Sequence, residues 1–381
     1  MSMLPVYQTC GVELERGIGN KVYDTKGQDY LDLYGGHAVI SIGHSHPHYC
    51  KEVSNQLHKL GFYSNYVDFS IQSKLVHKLA EISGLLNYQL FLCNSGAEAI
   101  ENAVKLASFA TGRTQVVTFS GAFHGRTSLA ISMSDAPSLQ APLNQRDDVI
   151  MHPFNDAECL DTAITEKVAA VVLEGVQGLS GIHRPHEKFI RQVQSQCKKV
   201  GAKFIVDEIQ SGFGRTGKFF AYQNYEGIEP DFITMGKGMG NGFPVAGVYA
   251  SPEIKAKVGM LGSTFGGNPL ACQAALAVLD VLKNENLLEN ARSQGQYLLN
   301  QLQEMAGIES ARGIGLMIAF ETSYNLSFVR NKLLKDFHIF TGTANAGRTI
   351  RLLPPLTITK EELDYFIDSL KFCLNAYGSL S

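Results

Sequence analysis

The sequence has no basic run, no long apolar stretch and no paired cysteines. Lys and Arg total 33 against 36 Asp and Glu, a net charge of −3. Without a positive patch there is no footprint for nucleic acid or for a membrane surface. No apolar run reaches the roughly 18 residues a membrane span requires. The segment MSMLPVYQTC lacks the apolar stretch of a secretory signal. The seven cysteines are scattered, and none forms a C-x-x-C pair. That argues against a disulfide framework or zinc site and suits reduced thiols in a cytoplasmic enzyme. Internal repeats and low-complexity segments are also missing.

What is present is an ordinary globular composition. The 381 residues are 45% hydrophobic and 18% charged, enough for one large domain or two of about 150 residues each. The 37 glycines cluster between apolar runs and read as tight turns. KVYDTKGQDYLDL alternates around Lys26-Gly27, a hairpin signal. Helices are expected at 48–60, 72–82 and 187–200, the last ended by Gly201. Apolar, β-branched runs at 88–92, 115–119, 168–173, 203–206, 231–235 and 245–250 predict strands. Their alternation with helices predicts a mostly parallel sheet flanked by helices, with ligands at the carboxyl ends of its strands. After 268 come a long helix, a continuing helix over 286–306, strand candidates in GLMIAF and TIRLLPP, and a closing helix over 360–376. This predicts a large α/β domain over 61–268. Residues 1–60 and 269–381 would form a smaller α+β domain from both chain ends.

Four constellations fall at strand ends. In CNSGAEAIENAVKLA, Ser95, Gly96 and Ala97 open a helix whose free N–H groups suit a phosphate. Ser95 with Glu98 reads equally as a capping box. In GAFHGRT, Phe123 and His124 can lie over a flat ring, and Arg126 is a planar fork for a carboxylate. IVDEIQSGFGRTGKFF brings Asp207 and Gln210 off one strand, with Ile209 between them. DFITMGKGMGNGFPVAG brings Lys237 off a later one. An anion for a pyridine nitrogen, a donor for a ring oxygen and an amine for an aldehyde are what pyridoxal 5'-phosphate (PLP) requires. Read singly, Asp207 is a strand-end cap and Lys237 a turn lysine; their joint spacing carries the signal. GSTFGGNPLA adds a polar loop, Ser263 and Thr264, before a helix.

Other motifs fall short. GFGRTGKF has Phe219 where a nucleotide loop needs a hydroxyl, and GIGN lacks a third glycine. His44, His46 and His48 alternate without the carboxylate or cysteine cluster a metal site needs, so no metal is expected.

Together these residues resemble the class III (ω-amino acid) aminotransferases of PLP fold type I, over nearly the whole chain. VDEIQSGFGRTGKFFA, the lysine segment and GSTFGGNPLA are the most specific. NSGAEAIENAVKLA and FHGRT place the resemblance in the branch acting on N-acylornithines. The resemblance implies that Lys237 carries the Schiff base, Asp207 pairs with the pyridine nitrogen and Gln210 contacts the ring oxygen. Phe123 stacks on the ring, with Ile209 and Glu174 among the cofactor contacts. Ser95, Gly96 and Ala97 hold the phosphate. Thr264 reaches the phosphate of a neighbouring subunit and Ser263 lies near that subunit's substrate, which implies a homodimer. Arg126 binds a substrate carboxylate, and Arg351 the α-carboxylate of glutamate or 2-oxoglutarate. The implied reaction moves the δ-amine of N2-acetyl-L-ornithine to 2-oxoglutarate, in arginine biosynthesis. N-succinylornithine, ornithine, 4-aminobutyrate or a diamine stay open as donors. A PLP isomerase and a non-enzymic binding protein are the other readings.

One stretch departs from the pattern. Relatives show E-P-x-Q-G-E where this chain reads LEGVQGLSG. Glu174 and Gln177 remain, Gly175 replaces the proline and Leu179 the second glutamate. In relatives that glutamate pairs with the arginine matching Arg351. Leucine cannot, so Arg351 is expected to stay unmasked or to use another acid.

Overall fold

A computed structural model describes residues 3–378. Its centre is a seven-stranded sheet. Across the sheet the strands run Gln89–Cys93, Ala246–Ala250, Phe232–Met235, Lys203–Asp207, Val168–Glu174, Gln115–Phe119 and Val149–His152. Only Ala246–Ala250 runs antiparallel, to both its neighbours. Val168–Glu174 is buried at every position, as a strand covered on both faces must be. All six strands expected here form. Val149–His152 was not foreseen, because VIMH is a short, half-exposed edge strand with no alternation.

Helices pack on both faces. Gly96–Thr111 buries Ala99, Ile100, Ala103, Val104 and Ala107, an i, i+3/i+4 stripe, and ends at Gly112 with φ 69°. Glu187–Val200 buries Phe189, Ile190, Val193 and Cys197 and ends at Gly201 with φ 74°.

The two chain ends meet in one sheet. Leu14–Ile18, Lys21–Asp24 and Asp29–Asp32 form an antiparallel meander, and Ile339–Phe340 joins its edge in parallel. The hairpin turns at Gly27, φ 84°. A third sheet runs Ile308–Ile314, Met317–Thr322, Thr349–Leu352, Gly342–Ala344. The helical region after 268 is two helices, Pro269–Asn284 and Leu287–Gln303, broken at Asn286, whose φ is 53°. The second helix stops at Gln303, so residues 304–306 of the expected helix lie outside it. The closing helix is Lys360–Gly378. Each histidine of GHSHPHY binds a different carboxylate: His44 to Asp32, His46 to Glu285 and His48 to Asp280. No helix among the described residues is long and apolar enough to cross a membrane.

Candidate active site

The sheet register lines up the chemistry. Glu174 pairs with Asp207, and Asp207 with Thr234, at the carboxyl ends of adjacent parallel strands. Lys237 follows Met235 by one glycine on the next turn. Cys93, leading into Asn94 and Ser95, ends its strand on the same edge. Four expected groups therefore converge where an open α/β sheet binds ligands.

Asp207 is buried and held on both oxygens. Oδ2 lies 2.7 Å from His124 Nδ1. Oδ1 accepts from Ile209 N at 3.0 Å and Thr234 Oγ1 at 3.4 Å. His124 does not lie out over a ring: it is itself buried, with Nε2 3.3 Å from Thr118 Oγ1. It orients the aspartate instead. Glu174 accepts from Phe123 N at 2.9 Å and Gly178 N at 3.3 Å. Burial first, and then the Asp207 charge, push the Glu174 carboxyl up to about 7.

Lys237 sits at φ 44°, strained for a residue with a Cβ. Its Nζ has no hydrogen bond or ion pair among the described residues. Burial, the dominant influence, holds the amine below the ordinary lysine value; Asp207 and Glu174 oppose this and Arg351 adds to it.

The helix Gly96–Thr111 begins beside Gly236, the residue before this lysine. Ser95 Oγ accepts from Glu98 N at 3.2 Å, so the capping role holds, and Glu98 Oε2 accepts from Asn94 N at 2.9 Å. The N–H groups of Gly96 and Ala97 keep no intrahelical partner. Close approach favours glycine at 96, where a Cβ would meet Ile209 Cγ2 at 2.8 Å, whereas at Gly236 a Cβ would lie at an ordinary 3.6 Å from Gly96 N. An anchored aspartate, an unpartnered buried amine and a side-chain-free helix N-terminus fit a PLP molecule.

Gln210 donates from Nε2 to His37 O at 3.1 Å. Its Oε1 abuts Gly178, where an added Cβ would come within 1.8 Å. Arg351 is buried; it donates from Nε to Thr343 O at 2.9 Å and from Nη1 to Gly178 O at 3.0 Å. No carboxylate forms an ion pair with it among the described residues; Glu174 is the acid whose charge reaches it. Leu179 is exposed, and its carbonyl accepts from Asn345 N at 3.1 Å. Arg126 is exposed, without hydrogen bond or ion pair among the described residues. Ser263 Oγ accepts from Asn94 Nδ2 at 2.9 Å, beside the same helix start, whereas Thr264 is exposed.

Reasoning on sequence missed two residues here and misdirected a third, His124. His124 had a signal, its place beside Phe123, but its inward direction is tertiary. Glu208, buried, accepts from Ser211 Oγ, Ala221 N and Tyr222 N at 2.7, 2.9 and 2.8 Å, pinning the loop after Asp207. His37 reaches the site from the chain's start, signalled only by the glycine pair before it.

Residues 5–374 match the family described as aminotransferase class-III. The chain is 43% identical to the acetylornithine aminotransferase of Archaeoglobus fulgidus, over 96% of each protein. It is 39% identical to that of Bacillus cereus, again over 96% of each. In three dimensions it is similar to the acetylornithine aminotransferase of Elizabethkingia anophelis: TM-score 0.84, 30% identity, 98% of this chain and 96% of that one. It is also similar to the ornithine aminotransferase of Toxoplasma gondii: TM-score 0.92, 28% identity, 99% and 93%. One structure of the latter enzyme is described with partial occupancy of PLP at its active site.

Proposed function

The chain belongs to the class-III aminotransferases, and from that premise we propose that it transfers the δ-amino group of N2-acetyl-L-ornithine to 2-oxoglutarate, releasing N-acetylglutamate semialdehyde and glutamate. The observation that carries the chemistry is Lys237: an amine held below its ordinary pKa, without a hydrogen-bond partner, beside two buried carboxylates. The choice of donor rests on the similarity to enzymes named for acetylornithine.

The family is PLP-dependent, and PLP when bound supplies an electron sink that stabilises negative charge at the carbon bearing the amine. In our reading Asp207 holds the ring nitrogen protonated, kept in place by His124. Gln210 donates to the ring oxygen. Phe123 and Ile209 would pack on the ring, with Glu174 holding the Phe123 backbone N–H. Ser95, Gly96 and Ala97 take the phosphate. Arg126 takes the donor's carboxylate and Arg351 that of 2-oxoglutarate. Lys237 Nζ removes a proton from the donor's δ-carbon and redelivers it, and the burial that lowers its pKa favours the unprotonated amine. Acylation of the donor blocks its α-amine, so only the terminal amine is presented.

Three coarser features belong to the same reading: a homodimer with shared sites, to which Thr264 and Ser263 contribute; cytoplasmic arginine biosynthesis; and division into a large domain, 61–268, with a smaller one from the two ends.

The test is the visible spectrum of PLP-loaded protein during sequential addition of N-acetylornithine and 2-oxoglutarate. The band should be lost with the first and return with the second. A band unmoved by N-acetylornithine but moved by N-succinylornithine or ornithine would reassign the donor. Lys237→Ala should abolish both half-reactions, and substantial turnover by that variant would sink the mechanism.

A further inference from the structure

Arg215 is a fully buried guanidinium, and no carboxylate forms an ion pair with it among the described residues. A buried charge is costly, and an apolar side chain of the same volume often serves stability as well. What the guanidinium holds is therefore informative. Its Nη1 donates to Leu316 O at 3.2 Å and to Pro354 O. Its own carbonyl accepts from Leu316 N at 3.0 Å.

Both acceptors stand at the end of the strand pair that presents Arg351. Leu316 leads into Met317–Thr322, where Ile318 pairs with Leu352 and Ala319 with Arg351. Pro354 follows Arg351 by three residues, just past the strand Thr349–Leu352. One guanidinium thus grips two paired strands at the same end.

Arg215 itself belongs to the cofactor side. It lies in the loop that leaves the central sheet at Asp207 and carries Gln210. That loop is tied to itself: Gly212 N donates to Glu208 O at 2.9 Å, and Gly214 N to Phe219 O at 3.2 Å. Its tip has no slack against the rest of the chain. A Cβ on Gly214 would meet Leu288 Cδ1 at 2.9 Å, and one on Gly315 would meet Arg215 O at 2.5 Å. A short, rigid path therefore runs from Asp207 through Arg215 to the backbone that carries Arg351.

We propose that Arg215 is a positioning residue: it sets the span between the Asp207 loop and Arg351, and through Arg351 the fit of the 2-oxo acid's carboxylate. This rests on the role given to Arg351 above. Arg126, which takes the donor's carboxylate in that reading, follows the strand Gln115–Phe119 and lies outside the gripped strands. The two half-reactions should therefore respond differently, whereas a merely structural residue would affect both.

The experiment uses PLP-loaded enzyme and follows each half-reaction in single turnover by its visible band, N-acetylornithine first and 2-oxoglutarate after it. The variants are Arg215→Lys, Arg351→Ala and the two combined. Lysine keeps the charge, but its side chain is one bond shorter and has no planar fork to aim at both carbonyls. Arg215→Lys should slow the 2-oxoglutarate half-reaction by roughly tenfold, as misplacement of a binding group does. It should change the N-acetylornithine half-reaction by less than about twofold. In the Arg351→Ala background the same substitution should cost less than about twofold, because the two residues act through one contact. A 2-oxoglutarate rate unchanged in Arg215→Lys would overturn the proposal. So would a tenfold loss that persists without Arg351. Equal slowing of both half-reactions, with a lowered melting temperature, would overturn it in favour of a structural role. Should Arg215→Lys not fold, Arg215→Met, which buries no charge, is read in the same way; failure of both to fold would also mark the role as structural. If Arg351→Ala alone leaves the 2-oxoglutarate half-reaction unchanged, the assignment of Arg351 fails, whatever Arg215 does.

Discussion

Glu174 and Glu208 flank Asp207, one across the sheet and one along the chain, and both are pushed up to about 7, chiefly by burial. The ordinary value is 4.5. Between these values the native protein holds protons that the unfolded chain has released. Their stabilisation is therefore complete below pH 4.5 and lost as pH rises through 7. His37 and His183, held below the ordinary histidine value by burial, act in the opposite sense. The test is accordingly a difference. Urea midpoints of cofactor-free enzyme and Glu208→Gln, measured at pH 5 and pH 8, should show a flatter pH dependence in the variant, by on the order of 1 kcal/mol or more. Equal slopes would show that Glu208 titrates normally. At this scale the sequence was legible where one residue type has few uses at a strand end, as for Asp207 and Lys237. It was not legible for Glu208 or His124, whose meaning is the direction in which they are buried.

The turn that begins at Glu174 shows how an element tolerates the chain's departure from its relatives' pattern. Gly175 N donates to Asp207 O at 3.0 Å, a bond that proline could not make. A Cβ at Gly175 would also meet Glu208 Oε1 at 2.7 Å and Ser211 Oγ at 2.9 Å. Restoring the relatives' proline should therefore harm this protein. Gly175→Pro is expected to lower stability by about 1–3 kcal/mol, read as a shift in urea midpoint, and to weaken PLP binding by disturbing Asp207. A neutral or stabilised variant would mean that the turn repacks freely. Strands with continuous β-branched runs and helices with a clear stripe and a closing glycine were readable at this scale. Ile308–Ile314 was not, because IESARGI mixes charge and small residues and pairs only through a bulged register with Met317–Thr322.

On the whole molecule, one group of exposed apolar residues comes from two segments far apart in the chain. Phe62, Tyr63, Tyr66, Val67 and Phe265 are all exposed, and the Phe62 and Phe265 rings lie 5.3 Å apart. Asn65 Nδ2 donates to Gly266 O at 2.9 Å, tying the two segments together around Ser263 and Thr264. An apolar face of this kind is what an obligate partner covers. Under the homodimer reading, Phe265→Asp should shift sedimentation towards monomer and lower kcat/KM by at least roughly tenfold, since a buried unpaired charge opposes association. A fully active monomer would separate the site from the dimer.

The sequence by itself determined the strand–helix alternation, the type of sheet and the residues at its carboxyl edge. Periodicity and turn chemistry are local, and the class's motifs are contiguous. Only the tertiary structure decided that both chain ends share a sheet and that His124 braces Asp207 from behind. It also decided that Arg351 is held by the carbonyls of Thr343 and Gly178, and that a left-handed turn carries His37 into the site. Those arrangements depend on contacts between residues far apart in the chain, and no local pattern encodes which partner will be met.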